Sequence, residues 1–99
     1  MTGAAERTYL VECYAPGIDA ATVELEAARA RDAVAKLTEA GGAVQYAGAM
    51  FMAGDEVVFH AFRAGGPEIV RRASELASLP FERIVESVAV GGDGVLPST

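Results

Sequence analysis

The feature that most constrains the fold of this chain is a pair of strand-like runs joined by a short turn. The runs are residues 44–52 (VQYAGAMFM) and 56–62 (EVVFHAF), and the tight-turn sequence Ala53-Gly54-Asp55 lies between them. Two apolar runs separated by such a turn predict an antiparallel hairpin. The chain must therefore place a hairpin at its centre, and the rest of the fold has to be built around it.

A helical pattern precedes the hairpin. It begins at Asp19, whose carboxylate can accept hydrogen bonds from the free amides of a first helical turn. Apolar residues then recur at alternating intervals of four and three, which predicts a helix with one narrow apolar face. Gly41-Gly42 follows, where a left-handed residue would end the helix. The stripe consists of Val23, Ala27, Ala30, Val34 and Leu37.

A second helix and two outer strands complete the order. Pro67 follows two glycines and suits a first helical position, where its missing amide costs no hydrogen bond, and Leu79-Pro80 ends that helix. Residues 8–14 (TYLVECY) and 83–90 (RIVESVAV) are rich in β-branched residues and predict the first and last strands. The resulting βαββαβ order is the ferredoxin-like plan, an α+β fold. It predicts a four-stranded antiparallel sheet in the order 4-1-3-2, with two helices on one face.

Length and charge limit the number of domains and the classes of partner. Ninety-nine residues suffice for one domain, which we predict over residues 8–90 with flexible termini at 1–7 and 91–99. The net charge of −6 disfavours nucleic acid and anionic membrane surfaces as partners. No apolar run approaches the ~18 residues of a membrane span, and the N-terminus lacks the apolar region of a signal peptide. The single cysteine, Cys13, excludes an internal disulfide. These features predict a cytoplasmic protein.

The sheet face opposite the helices is predicted to be apolar. Side chains alternate between the two faces of a strand, and a charge beneath the helices would be desolvated at a cost of about several kcal/mol. We therefore assign the uncharged sets of the first and third strands to the helix side. An apolar face this large predicts a homodimer that closes two sheets into an α+β barrel. The open face would then carry Leu10, Tyr14, Val58, Phe62, Ile84, Val88 and Val90.

Three polar residues on that predicted open face are the candidate site. Glu12, His60 and Glu86 would lie together if the first strand separates the third from the fourth. Such a trio could perform general acid–base chemistry, or it could supply one nitrogen and two oxygen ligands to a divalent metal. The alternative is that His60 is a packed residue and that the two glutamates are solvated. The ligand pocket beside the trio would be lined by Tyr14, Phe62, Val58 and Gln45.

Short motifs in the sequence resemble a family of small, mostly uncharacterised bacterial proteins. The segment 78–88 (SLPFERIVESV) is similar to that family's pattern of Gly-Leu-Pro, a spacer and Arg-Ile-Val-Glu, which it matches at Leu79, Pro80 and residues 83–86. Tyr9-Leu10-Val11-Glu12 and residues 55–63 also resemble the family. The family includes nickel-binding dimers with a ferredoxin-like fold. The resemblance therefore implies a dimer and a divalent metal such as nickel. This chain has only one His and one Cys, whereas nickel sites commonly use several imidazoles or thiolates.

Three functions are compatible with these observations. The first is a ligand- or metal-binding homodimer, with nickel or a small apolar metabolite at the open face. The second is a cofactor-independent enzyme, similar to the isomerases, cyclases and monooxygenases of dimeric α+β barrels, in which His60 acts with Glu12 or Glu86. The third is a structural or regulatory dimer without a pocket. Fold alone does not decide among them.

Overall fold

The computed structural model describes residues 6–90 and has the predicted order of elements. All paired strands are antiparallel, and the sheet order is β2-β3-β1-β4. The ferredoxin-like α+β fold is therefore confirmed. The predicted flexible termini, 1–7 and 91–99, lie mostly outside the described residues, and Arg7 is the first residue of β1. The elements are β1 (Arg7–Tyr14), α1 (Ala20–Glu39), β2 (Val44–Met52), β3 (Val57–Ala64), α2 (Pro67–Leu76) and β4 (Phe81–Ser87).

Local sequence signals determine where these elements begin and end. Asp19 caps α1, since its Oδ1 accepts a hydrogen bond from the Thr22 amide at 2.9 Å. The hairpin turn is a short 3₁₀ turn, after which Glu56 adopts a left-handed conformation with φ of 55°. Pro67 is the first residue of α2, as predicted. The last strand begins and ends earlier than the sequence suggested, because β4 pairs with β1 only from Phe81 to Ser87.

Both helices lie on one face of the sheet, which we call the covered face. In β1 this face carries Tyr9, Val11 and Cys13, as predicted. In β3 it carries Val58, His60, Phe62 and Ala64, all fully buried. The predicted assignment of Val58, His60 and Phe62 to the open face is therefore wrong. The charge-based rule failed because His60 finds hydrogen-bond partners beneath α1, which offset the desolvation that the rule assumed.

The assignment of β4 to the two faces also differs from the prediction. Residues directly opposite one another in antiparallel strands project to the same face. The register places Ile84 opposite Val11 and Glu86 opposite Tyr9, so both belong to the covered face. Val88 and Val90, predicted as members of the open face, follow the end of β4.

The face without helices, which we call the open face, is still mainly apolar. Leu10 and Tyr14 are on it as predicted, and the register adds apolar residues from the other three strands. Most of these side chains are only partly exposed, whereas Tyr14 and Met52 are exposed. The added residues are Met50, Met52, Val57, Phe59, Ala61 and Val85.

Within residues 6–90, no helix is long and apolar enough to cross a membrane.

Candidate active site

Three polar side chains form a hydrogen-bonded chain beneath α1, which we call the relay. The Tyr46 hydroxyl lies 2.7 Å from Nδ1 of His60. Nε2 of the same ring lies 3.0 Å from Oε1 of Glu26. His60 is fully buried and Glu26 is 4% exposed, so the carboxylate and the imidazole are both removed from water. The arrangement of hydroxyl, imidazole and carboxylate is the one that acid–base triads use.

Each member of the relay comes from a different element. Glu26 occupies the inner side of α1, and the buried residues Val23 and Ala30 lie on the turns before and after it. His60 lies in the middle of β3, opposite Val11 of β1. Since β3 is an inner strand of the sheet, the imidazole is held in place from both sides.

Tyr46 belongs to the edge strand β2 and is positioned by an irregularity in that strand. Its ring packs edge-on against Phe62, with ring centroids 5.2 Å apart. The β2–β3 register shifts between Tyr46 and Gly48, where Gly48 has a φ of 120°. Such bulges bend a strand and redirect a side chain, and they are frequent beside active sites. Here the bulge is immediately next to the tyrosine whose hydroxyl reaches His60.

The protonation state of the relay follows from burial. Desolvation lowers the pKa of His60, although the hydrogen bond and charge of Glu26 act in the opposite direction. Burial raises the pKa of Tyr46 to about 12, so the phenol keeps its proton at neutral pH. We therefore assign the Tyr46 hydroxyl as donor to Nδ1 and the Nε2–H of His60 as donor to Glu26. In this state, His60 is a neutral base with a hydrogen-bonded phenol beside it.

A relay of this kind is costly to bury in a domain of 99 residues. Removing a carboxylate from water carries a penalty of several kcal/mol, and a partner repays it only with good geometry. Apolar residues at the same three positions would avoid that penalty. Buried titratable groups with shifted pKa values and specific partners are concentrated at functional sites. The relay is therefore the strongest candidate site among the described residues.

A surface groove lies between α1 and the beginning of β2, and Tyr46 forms part of its wall. Its volume is about 450 Å³, within the range of small-molecule sites. Tyr46 is thus the member of the relay that lies nearest to solvent. The groove is also lined by Glu6, Arg31, Val34, Thr38, Gly42, Ala43, Val44 and Gln45.

The structure separates the three residues of the predicted trio. Glu12 lies on the open face, where its carboxylate accepts a hydrogen bond from Nε of Arg83. Glu86 is near the end of β4, with Oε2 3.7 Å from Nε of Arg7. His60 is buried on the covered face. The expectation that the trio shares one face is wrong because a residue's face depends on strand register, which the sequence does not reveal.

The predicted ligand pocket is not formed by its four residues. Val58 and Phe62 are fully buried in the core beneath the helices. Tyr14 is 53% exposed at the end of β1. Gln45 is exposed, and of the four it alone borders the groove beside Tyr46. The candidate binding space is thus at the flank of α1 rather than on the open face.

The donors near His60 do not fit a nickel site. Both ring nitrogens are already engaged by Tyr46 and Glu26, and Glu12 is on the other side of the sheet. Within residues 6–90, no group of three His, Cys, Asp or Glu side chains could hold a metal ion. Burial raises the pKa of the Cys13 thiol to about 12, which keeps that sulfur protonated and a poor ligand.

Glu26 was not predicted from the sequence as a site residue, and for Tyr46 the sequence left open whether its hydroxyl orients a ligand or its ring only packs. A signal for Glu26 exists, since it lies three residues after Val23 and four before Ala30, inside the apolar stripe of α1. A carboxylate at such a position is either exposed by a helix rotation or buried with a partner. Tyr46 offers no comparable signal, because its orientation depends on the bulge in β2.

Comparison of the chain with protein-family models, with curated proteins and with solved structures found no match. The relay and the groove beside it are therefore the basis for the functional proposal.

Proposed function

We propose that this protein is a small cofactor-independent enzyme that catalyses proton transfer on a small molecule bound in the groove beside Tyr46. The observation that carries the proposal is the buried relay, in which a phenol, an imidazole and a carboxylate are joined by two hydrogen bonds of 2.7 and 3.0 Å. An isomerase that moves a proton next to a carbonyl group needs a base of this kind. Apolar packing alone has no need of it.

The relay supplies a balanced route for one proton. A substrate C–H or O–H proton passes to the Tyr46 oxygen while the phenolic proton passes to Nδ1 of His60. The imidazolium that forms is stabilised by the Glu26 carboxylate through Nε2–H. Reversal of the two transfers returns the proton to a different substrate atom. His60 and Glu26 therefore act through Tyr46, which is the group that would contact the substrate.

Deuterium exchange tests this proposal without knowledge of the natural substrate. The protein is incubated in D₂O with small ketones and 2-oxo acids, including acetone, pyruvate and phenylpyruvate, and loss of the protons next to the carbonyl is followed by NMR. We expect exchange faster than in buffer, and a decrease of about a hundredfold or more in Tyr46→Phe and in Glu26→Gln. Both substitutions keep the size of the side chain. Exchange no faster than in buffer, or unchanged in both variants, would contradict the proposal.

Glu12→Gln is the matched control, because it removes the same charge from the opposite face of the sheet. We expect it, and Glu86→Gln, to retain full exchange activity. Loss of activity in Glu12→Gln with retention in Glu26→Gln would favour the site first predicted from the sequence.

A readout that needs no substrate is the ¹⁵N NMR spectrum of His60. It should show a neutral ring protonated at Nε2 at pH 7, and a ring titrating as freely as in a peptide would contradict the relay.

We also propose that a second copy of the chain covers the open face. This face has an apolar centre that includes Leu10, Phe59 and Val85, where Glu12 and Arg83 form an ion pair within the protomer, and Arg63 lies towards one end of the strands. A surface without a dominant charge can face its own copy across a two-fold axis without repulsion. A strongly charged partner would meet no complementary charge at the centre of the open face. The open face therefore favours a homodimer over a charged partner.

Sedimentation equilibrium tests the homodimer. We expect the wild-type protein to sediment with twice the chain mass, and Phe59→Lys to sediment as a monomer that keeps its far-UV circular dichroism. Leu25→Lys on the outer side of α1, where Leu25 is 63% exposed, is the matched control and should remain dimeric. A wild-type monomer at all concentrations, or loss of the dimer only in Leu25→Lys, would contradict the use of the open face.

Nickel binding, which the sequence resemblance implies, is the competing function. It makes a different prediction from the relay, because a metal would have to displace Tyr46 or Glu26 from His60. Calorimetric titration with Ni²⁺ should give no binding heat that depends on His60. Stoichiometric binding that is abolished in His60→Ala would favour the metal over proton transfer.

A further inference from the structure

Arg31 is a cation on the wall of the groove without a partner of its own in the described part of the chain. It is exposed on α1, and Val34 and Thr38 follow it along the same flank. Among residues 6–90, the salt bridges join other basic residues to carboxylates and none includes Arg31. The helix positions three and four residues away hold alanine and valine. Its guanidinium is therefore available to a ligand in the groove.

The rest of the groove restricts the kind of ligand. Val34, Ala43 and Val44 provide apolar wall, while Thr38 and Gln45 can form hydrogen bonds. Among the described residues, Glu6 is the one acidic residue that lines it. One cation favours a single negative charge, and the nearby carboxylate of Glu6 would repel a second one.

Arg31 and Tyr46 line the same groove. The charge of Arg31 lowers the pKa of the Tyr46 phenol, against the larger effect of burial, which raises it. A ligand that engages the guanidinium is therefore held close to the end of the relay. The volume of about 450 Å³ accommodates a molecule the size of a short-chain or aromatic acid.

We infer that the groove binds a small monocarboxylate, with Arg31 pairing with the carboxylate and the apolar wall holding the rest of the molecule. The planar guanidinium matches a carboxylate in a two-bond geometry that a lone ammonium cannot reproduce. This inference rests on the proposed function, since it names the substrate class of the groove that the relay borders. Arg31 is assigned as the residue that determines specificity and takes no part in the proton transfer.

The test compares two probes of the same shape, benzoate and the neutral benzamide, in a ¹H–¹⁵N NMR titration. Benzoate is expected to shift the amide signals of Arg31, Val34 and Tyr46, and to bind at least about tenfold more tightly than benzamide. In Arg31→Gln the two probes should bind within about twofold of each other. Arg72→Gln, which removes an exposed arginine from α2, is the control for net charge and should keep the wild-type preference.

The outcomes separate this inference from the proposed function. Tyr46→Phe should still prefer benzoate, because its defect lies in proton transfer. Preserved preference for benzoate without exchange activity would therefore support both the carboxylate specificity of the groove and the role of Tyr46 in proton transfer. Exchange activity in a protein that binds benzoate no better than benzamide would overturn the carboxylate specificity and leave the relay intact. The inference is also overturned if neither probe shifts the groove signals at tens of millimolar concentration. A preference for benzoate over benzamide that survives in Arg31→Gln would also overturn the inference.

Discussion

The two faces of the sheet differ in a way opposite to the usual expectation. The covered face, which is sealed beneath two helices, contains the relay with its carboxylate and imidazole. The open face, which no helix protects, is mainly apolar, and its charged residues include the Glu12–Arg83 ion pair and Arg63. Polar groups are ordinarily kept at the surface and apolar groups inside. Under the proposed function, proton transfer would take place beneath the covered face and assembly would use the open face.

That division has a physical advantage. The relay needs a dry environment, because hydrogen bonds and charges act more strongly where water is excluded. The covered face provides such an environment within a single protomer. A partner on the open face would therefore stabilise the fold without entering the site, and each face can be altered without direct damage to the other.

The largest expected effect on stability comes from breaking the relay. His60→Leu leaves the Glu26 carboxylate buried without a partner, so we expect the free energy of unfolding to fall by about 3–5 kcal/mol. The double variant with Glu26→Leu should recover most of this loss, since no buried charge remains. Urea denaturation measures both. A single variant within about 1 kcal/mol of wild type would contradict this expectation and would mean that the Glu26 carboxylate reaches solvent once His60 is removed.

Substitutions of two neighbouring valines allow the two faces of the sheet to be compared directly. Val58 is fully buried on the covered face, and Val57 is half-buried on the open face. Val58→Ala should cost about 2–3 kcal/mol, from about 0.8 kcal/mol for each lost methyl group and a further cavity contribution. Val57→Ala should cost less in dilute protein, and its cost should grow with protein concentration if a second copy covers the face. Equal costs at all concentrations would remove the distinction between the faces.

The covered face should also make stability depend on pH. Because burial lowers the pKa of His60, the unfolded chain binds a proton more readily than the folded one. The contribution of His60 to the free energy of unfolding is therefore fully present above the unfolded pKa of about 6.5. It is lost as pH falls below that value, by at most about 1.4 kcal/mol per pH unit. Urea midpoints between pH 7.5 and 5 measure this loss. The double variant Glu26→Leu/His60→Leu should show a smaller slope, and an identical slope would show that other groups are responsible.

The smallest expected effect lies on the open face. The Glu12–Arg83 pair is partly solvated, with 67% of the Arg83 side chain exposed. In protein dilute enough to be monomeric, Glu12→Gln should therefore change the free energy of unfolding by less than about 1 kcal/mol, and the change should vanish at high salt. Thermal denaturation at low and high ionic strength measures it. A loss as large as that of His60→Leu in the monomeric protein would show that the pair is not a solvated ion pair within the protomer.

The sequence was sufficient to predict the fold because its signals are local. Asp19 and Pro67 start the helices where they were expected, since capping needs only neighbouring residues. The site was predicted less well, because it depends on which side of each strand faces the helices. His60 was singled out correctly as a residue of interest, but it was given the wrong partners. Register depends on contacts across the whole sheet, and a shift of one residue reverses the faces.

What the sequence by itself determined is the βαββαβ order, since turn residues, caps and apolar periodicity act within a few residues of one another. It also determined that one sheet face lacks a helical cover, because two helices cannot shield both sides. Only the tertiary structure decided that His60 lies on the covered face and meets Tyr46 and Glu26, which are 14 and 34 residues away along the chain. The reason is that a buried polar group is stable only where distant elements bring it hydrogen-bond partners, and that complementarity is a property of the packed fold.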